Sequence, residues 1–193
     1  MFLTSPPGSP EAEALYEEDR RAMGFVMNGS RLWAHDPLLH DELFALLARA
    51  SGDAGLSLRE RGVLVTASAS TLGDSYCSLA WGTKLAREAG GDVAAGVLEG
   101  TDRGLTRKEQ ALARWARLVV GDPNGTQPDD VQELRDAGFT EAQILAITAF
   151  VALRSAFSTV NDALGVRPEP ELVAGAPEPV REVVEWGRSA ALA

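Results

Sequence analysis

One cysteine, Cys77, and two histidines, His35 and His40, are all the chain has of the commonest soft metal ligands and thiol nucleophiles in 193 residues. A lone cysteine excludes an internal disulfide, a complete CxxC redox pair and an iron–sulfur cluster held by this chain alone. The histidines stand five apart across Asp36-Pro37, the wrong spacing for two ligands on one helical face, and are read as surface or capping residues. No metal and no cofactor are therefore expected. Long apolar runs are also missing. The most apolar stretch, Ile144 to Leu153, is ten residues, half of what a bilayer crossing needs. The start, Met1-Phe2-Leu3-Thr4-Ser5-Pro6-Pro7, has no basic region and no export core. A cytoplasmic protein without a membrane partner is expected. Basic charge is scarce as well: 18 Lys and Arg against 28 Asp and Glu give a net charge of −10, which excludes the electrostatic footprint of a nucleic-acid binder. The first hundred residues hold 14 acidic and 8 basic groups and the rest 14 and 10, so the acidity is spread and serves solubility rather than forming a tail.

What the chain does have is helix punctuation. Ser9-Pro10-Glu11 reads as cap, first-turn proline and first-turn acid, opening a helix that stops near Gly24. Asp36-Pro37 opens another that runs to Ser51-Gly52, with leucines at helical spacing. Three capping boxes follow, Ser57-x-x-Glu60, Thr106-x-x-Glu109 and Thr140-x-x-Gln143. Asp74 starts a helix that ends at Gly90-Gly91; Asp122-Pro123-Asn124-Gly125 is a turn; Pro128 to Ala137 is a short helix; and Gly165 ends the helix from Thr140. The stretch Val63 to Thr71 alternates and is β-branched enough for a strand, yet the capping box before it and Gly73 after it favour a helix. The fold class is therefore all-α. Residues 1–9 read as a flexible N-terminus and 10–166 as one helical domain. Residues 167–193 read as a Pro-rich linker followed by a helix from Val180 to Gly187, packing on its own domain or on a neighbour.

The one candidate for chemistry is Cys77, the third residue of the helix capped by Asp74. Amides at a helix N-terminus stabilise a thiolate and lower its pKa, whereas the Asp74 carboxylate one turn away opposes a second negative charge. Trp81 and Lys84, four and seven residues on, share the Cys77 face as pocket wall and charge partner. Free cysteine is also among the most buried residue types, so a small core hydrophobe is the other reading, and the residues alone leave both open.

The order of these features resembles a known family. Met23-Gly24-Phe25-Val26 precedes His35-Asp36-Pro37-Leu38-Leu39; Leu58-Arg59-Glu60-Arg61 leads into Gly73-x-x-Tyr76-Cys77; and Leu105-Thr106-x-x-Glu109 precedes Leu134-x-x-Ala137-Gly138-Phe139-Thr140-x-x-Gln143 and Asp162-Ala163-Leu164-Gly165-Val166. Over roughly residues 12 to 166 this is similar to the carboxymuconolactone decarboxylase family, in its alkylhydroperoxidase D-like, peroxidase-related branch. The resemblance implies a compact multi-helix bundle, a homo-oligomer (trimer or hexamer) and antioxidant reduction of hydroperoxides by a Cys-x-x-Cys-x-x-x-His motif with a glutamate twelve residues upstream. Only the second cysteine is matched, by Cys77; the other relay positions fall on Asp74, Trp81 and Gly62. A sulfenic acid on Cys77 would then need an external or intersubunit thiol. Three readings follow: a thiol-dependent peroxidase using Cys77, a helical oligomer kept as a binding or structural module, and a lyase-like enzyme acting on a small organic acid.

Overall fold

Capping chemistry sets most helix boundaries in the computed structural model, which describes residues 1–191. Ser9 and Asp36 cap α1 (Pro10–Met23) and α3 (Pro37–Asp53), each with proline in the first turn. All three expected capping boxes form, opening α4 (Leu58–Leu72), α7 (Arg107–Gly121) and α9 (Glu141–Ala163). Asp74 caps α5 (Ser75–Ala89), and proline opens α8 (Pro128–Asp136). Four further short helices complete the chain: α2 (Asn28–Trp33), α6 (Gly91–Glu99), α10 (Pro170–Gly175) and α11 (Glu178–Val183). No strand occurs among the described residues. The Val63–Thr71 stretch is helical, as the flanking caps predicted.

α4 is the central element, packed against α5, α6, α7 and α9. Eight consecutive residues, Gly62 to Ala69, are buried on it, so there is no polar face to impose a 3.6-residue period. That explains why its sequence reads almost equally well as a strand. Leu64, Leu85, Leu112 and Ile147 are fully buried and bring α4, α5, α7 and α9 together. Helices α1, α2 and α3 form a second group at one end, with α3 laid along α9.

Two sequence expectations need correction. The final helix runs from Glu178 to Val183 rather than from Val180 to Gly187, because Pro177 and Pro179 start it early. Beyond it the backbone is irregular, and Trp186 Nε1 donates to Ser78 Oγ at 3.4 Å. Val180 is fully buried and packs where a Cβ on Gly82 of α5 would stand 3.0 Å from it, so α11 packs on α5 and α6 of its own chain. The last two residues of the 167–193 segment lie outside the described residues. Second, the apolar stretch belongs to a longer element. α9 has 23 residues and is long and apolar enough to cross a membrane by length and composition. Here it packs against α3, α4, α7 and α8 and carries buried Arg154 and Asn161. Ahead of α1, Phe2 N–H donates to Leu164 O at 2.8 Å and the Arg188 guanidinium lies over the Phe2 ring.

Candidate functional site

Cys77 lies where α5 leaves its cap. The Asp74 carboxylate accepts the Cys77 backbone N–H at 2.9 Å through Oδ1, and its Oδ2 is buried without a partner. The amide that could have served the thiol is thereby occupied, and a carboxylate is held beside it. Burial, first, and the Asp74 charge, second, push the Cys77 thiol up to about 12, against the pull of Arg154 and a hydrogen bond from Ser158. Of the two readings the sequence left open, the raised pKa of a buried cysteine is the one found: desolvation of a residue only 2% exposed outweighs the helix dipole.

Although buried, the thiol faces a cavity of about 530 Å³ between α1–α3 and α5/α9. Its walls are mostly apolar, with Trp33 stacked on Phe157 (centroids 5.4 Å apart) and Phe44 edge-on to Phe157. Trp81 and Lys84 line it as the sequence reading placed them, on the Cys77 face of α5. Lys84 stands exposed at the rim with its ammonium 4.6 Å from the Trp81 ring centroid. Crowding by the surrounding protein and the charge of Arg154 hold Lys84 below its ordinary pKa. Asp74 contributes no lining; it acts from behind the thiol as the cap.

Arg154, which sequence reasoning passed over, is the dominant charge here. It is 5% exposed, its Nη2 donates to Cys77 Sγ at 3.6 Å, and its guanidinium carbon lies 5.3 Å and 5.0 Å from the Trp81 and Phe157 ring centroids. The available signal was a single charged residue on the face of α9 that otherwise reads Ile147, Phe150, Phe157 and Asn161, spaced three and four apart. His40 also needs correction. It is not a surface or capping residue: it lines the cavity and stacks on Phe44 at 4.3 Å. His35 stays outside, with Nε2 3.1 Å from Thr4 O. Glu60 is committed to its capping box and to Lys108 at 2.7 Å, away from the thiol.

No protein-family model matches the chain, and no curated protein does. Solved structures do. An uncharacterized peroxidase-related protein from Ralstonia eutropha, described as an alkylhydroperoxidase AhpD core, is 25% identical, with 89% of this chain and 96% of that one covered at a TM-score of 0.73. A second uncharacterized peroxidase-related protein, from a Silicibacter species, is 19% identical over 89% and 93%, with a TM-score of 0.79. This chain has the alkylhydroperoxidase D-like fold. The same architecture carries the debrominase Bmp8, solved as a cysteine-to-alanine variant with 2,3,4-tribromopyrrole, at 18% identity over 94% and 97% and a TM-score of 0.74. Within the AhpD-like fold of this chain, Tyr76 and Asp19 bring polar groups to the cavity, with Glu169 behind Tyr76. Tyr76 accepts the Gly29 N–H at 3.1 Å and lies 3.4 Å from Glu169 Oε1, and Asp19 accepts the Met27 N–H at 2.8 Å. Burial raises the pKa of all three groups, Tyr76, Glu169 and Asp19.

A carboxylate near the α5 cap gives a stability test. Burial and the Asp74 charge push half-buried Asp162 up to about 6, opposed by Arg188. Between its ordinary 3.8 and about 6 the folded protein binds this proton more tightly than the unfolded chain. The group therefore disfavours folding when ionised, and that cost fades as pH falls through 6. Asp162→Asn is expected to raise the melting temperature at pH 8 and to lose that advantage by pH 4, read by scanning calorimetry at both. An equal shift at both pH values would exclude the carboxylate as the cause.

Proposed function

We propose that the protein is a thiol-dependent oxidoreductase that reduces organic hydroperoxides at Cys77, using an external thiol as reductant. The observation that carries this reading is the position of Cys77, which lines a mostly apolar cavity with its Sγ 3.6 Å from a buried guanidinium. The apolar lining favours an organic hydroperoxide over hydrogen peroxide, because a buried ligand gains about 25 cal/mol per Å² of apolar surface removed from water. The debrominase neighbour shows that the same fold carries another activity, and its complex with 2,3,4-tribromopyrrole supports only the reading of the cavity as a small-molecule site.

The proposed chemistry needs neither the missing resolving cysteine nor the missing histidine. Sulfur attacks the distal oxygen of the hydroperoxide, an S–O bond forms as the O–O bond breaks, and the thiol proton ends on the departing alcohol. Cys77 becomes a sulfenic acid. Two external thiols then return it to the thiol, leaving one disulfide and one water. Arg154 favours the step by stabilising charge on sulfur as the proton leaves, while the high thiol pKa keeps the resting protein protonated. The test is reduction of cumene hydroperoxide supported by dithiothreitol. Turnover should fall to background in Cys77→Ser and should exceed turnover of hydrogen peroxide at equal concentration in the native chain. Full turnover in Cys77→Ser would overturn the reading.

A further inference from the structure

The cavity beside Cys77 adjoins a second one of about 290 Å³, and the two share Phe44, Trp81, Lys84 and Arg154. The second cavity adds Arg61 and contains no acidic residue in its lining. Three cations therefore converge on one place. Among the described residues none of the three forms an ion pair. Arg61 Nε and Arg154 Nε are both buried without a hydrogen-bond partner. This is costly, because a buried charge is ordinarily paired. The acids lining the larger cavity form no ion pair with these cations. Asp19 accepts from the Met27 amide, and Glu18 and Asp41 are exposed on α1 and α3.

We infer that the two cavities form one site for an organic carboxylate, its acid group held by Arg154 with Arg61 and Lys84 and its apolar body lying on Trp33, Phe44 and Phe157. Guanidinium donors match the two oxygens of a carboxylate in geometry, and Arg154, more than nine-tenths buried, keeps an Nε–H that no protein group accepts. The larger cavity falls within the ~300–1,000 Å³ typical of small-molecule sites. The inference rests on the preceding reading only in taking this cavity as the substrate site; together they define the substrate as a hydroperoxide that also bears a carboxylate.

The probes are 3-phenylpropionate and its neutral amide, 3-phenylpropionamide, titrated calorimetrically into the full chain at low salt. The acid is expected to bind at least about tenfold more tightly than the amide, the worth of ~1.4 kcal/mol. That gap should shrink on adding salt, close in Arg154→Met, narrow in Arg61→Met, and persist in Cys77→Ser. As a check free of substitutions, the acid should slow alkylation of Cys77 in the native chain, and the amide should do so far less. Equal affinity for acid and amide, or no binding of the acid by the native chain, would overturn the inference. Loss of acid binding with Cys77-dependent turnover intact would remove the carboxylate site alone. Acid binding retained in Cys77→Ser, with no turnover in the native chain, would uphold the site and remove the reaction.

Discussion

Gly62→Glu, the substitution that restores the relay glutamate of the alkylhydroperoxidase D-like pattern, is expected to destabilise the protein by about 4 kcal/mol or more. Gly62 of α4 lies directly against Leu85 of α5. A Cβ there would stand 3.3 Å from both Leu85 Cβ and Leu85 Cδ1, and Leu85 is fully buried. Overpacking of this kind costs ~1–3 kcal/mol. The carboxylate would add the cost of an unpaired buried charge, ~3–5 kcal/mol where a buried pair is broken. Gly62→Ala separates the two contributions, since it removes the mid-helix glycine entropy, worth ~0.5–1 kcal/mol, and adds only the methyl contact. Urea denaturation should give a near-native midpoint for alanine and a large drop for glutamate. A stable Gly62→Glu with increased peroxide turnover would mean that α4 can present a relay after all.

The second large effect is expected at Arg154. Replacing it by methionine keeps much of the stem volume against Trp81 and Phe157 but removes the charge at 3.6 Å from Sγ. The Arg154 charge is the stronger of the two interactions that pull the thiol pKa down, so the pKa rises further in the variant and the thiolate fraction at neutral pH falls. A hydrogen bond to a charged group is worth ~1.5–3 kcal/mol, which corresponds to a loss of about 10- to 100-fold in the rate of Cys77 oxidation. Arg154→Lys should restore part of it, as the charge returns without the planar fork. Unchanged oxidation in the methionine variant, with the fold intact by circular dichroism, would remove Arg154 from the chemistry.

Most of the fold was legible because its helices announce themselves with side chains. Ser9, Asp36, Ser57, Asp74, Thr106 and Thr140 each accept the backbone N–H they were expected to accept. The helices that went unnoticed, α2, α6 and α10, begin at Met27, Gly90 and Glu169 with no side-chain cap, and only the proline and acid that open α10 mark its start. The site was half legible. Cys77, Trp81 and Lys84 share a helical face by spacing alone, and the structure brings all three to one cavity. Arg154 and His40 are separated from Cys77 by 77 and 37 residues, and only the tertiary arrangement, with α4 between α5 and α9 and α3 laid along α9, brings them there. The sign of the thiol shift was left open for a related reason. Sequence shows the helix N-terminus, but the burial that outweighs it is a property of the assembled fold.

The most direct measurement is the rate at which Cys77 in the full native chain is converted to sulfenic acid by cumene hydroperoxide, trapped with dimedone and read by intact-mass and peptide mass spectrometry from pH 6 to 10. With the thiol pushed up to about 12, the thiolate fraction grows about tenfold per pH unit across that range. The expected result is a dimedone adduct on Cys77 whose rate climbs steadily with pH and reaches no plateau by pH 10. A folded protein whose Cys77 stays unmodified throughout would contradict a reactive thiol in the cavity. A rate that levels off near neutral pH would contradict the buried, protonated resting state.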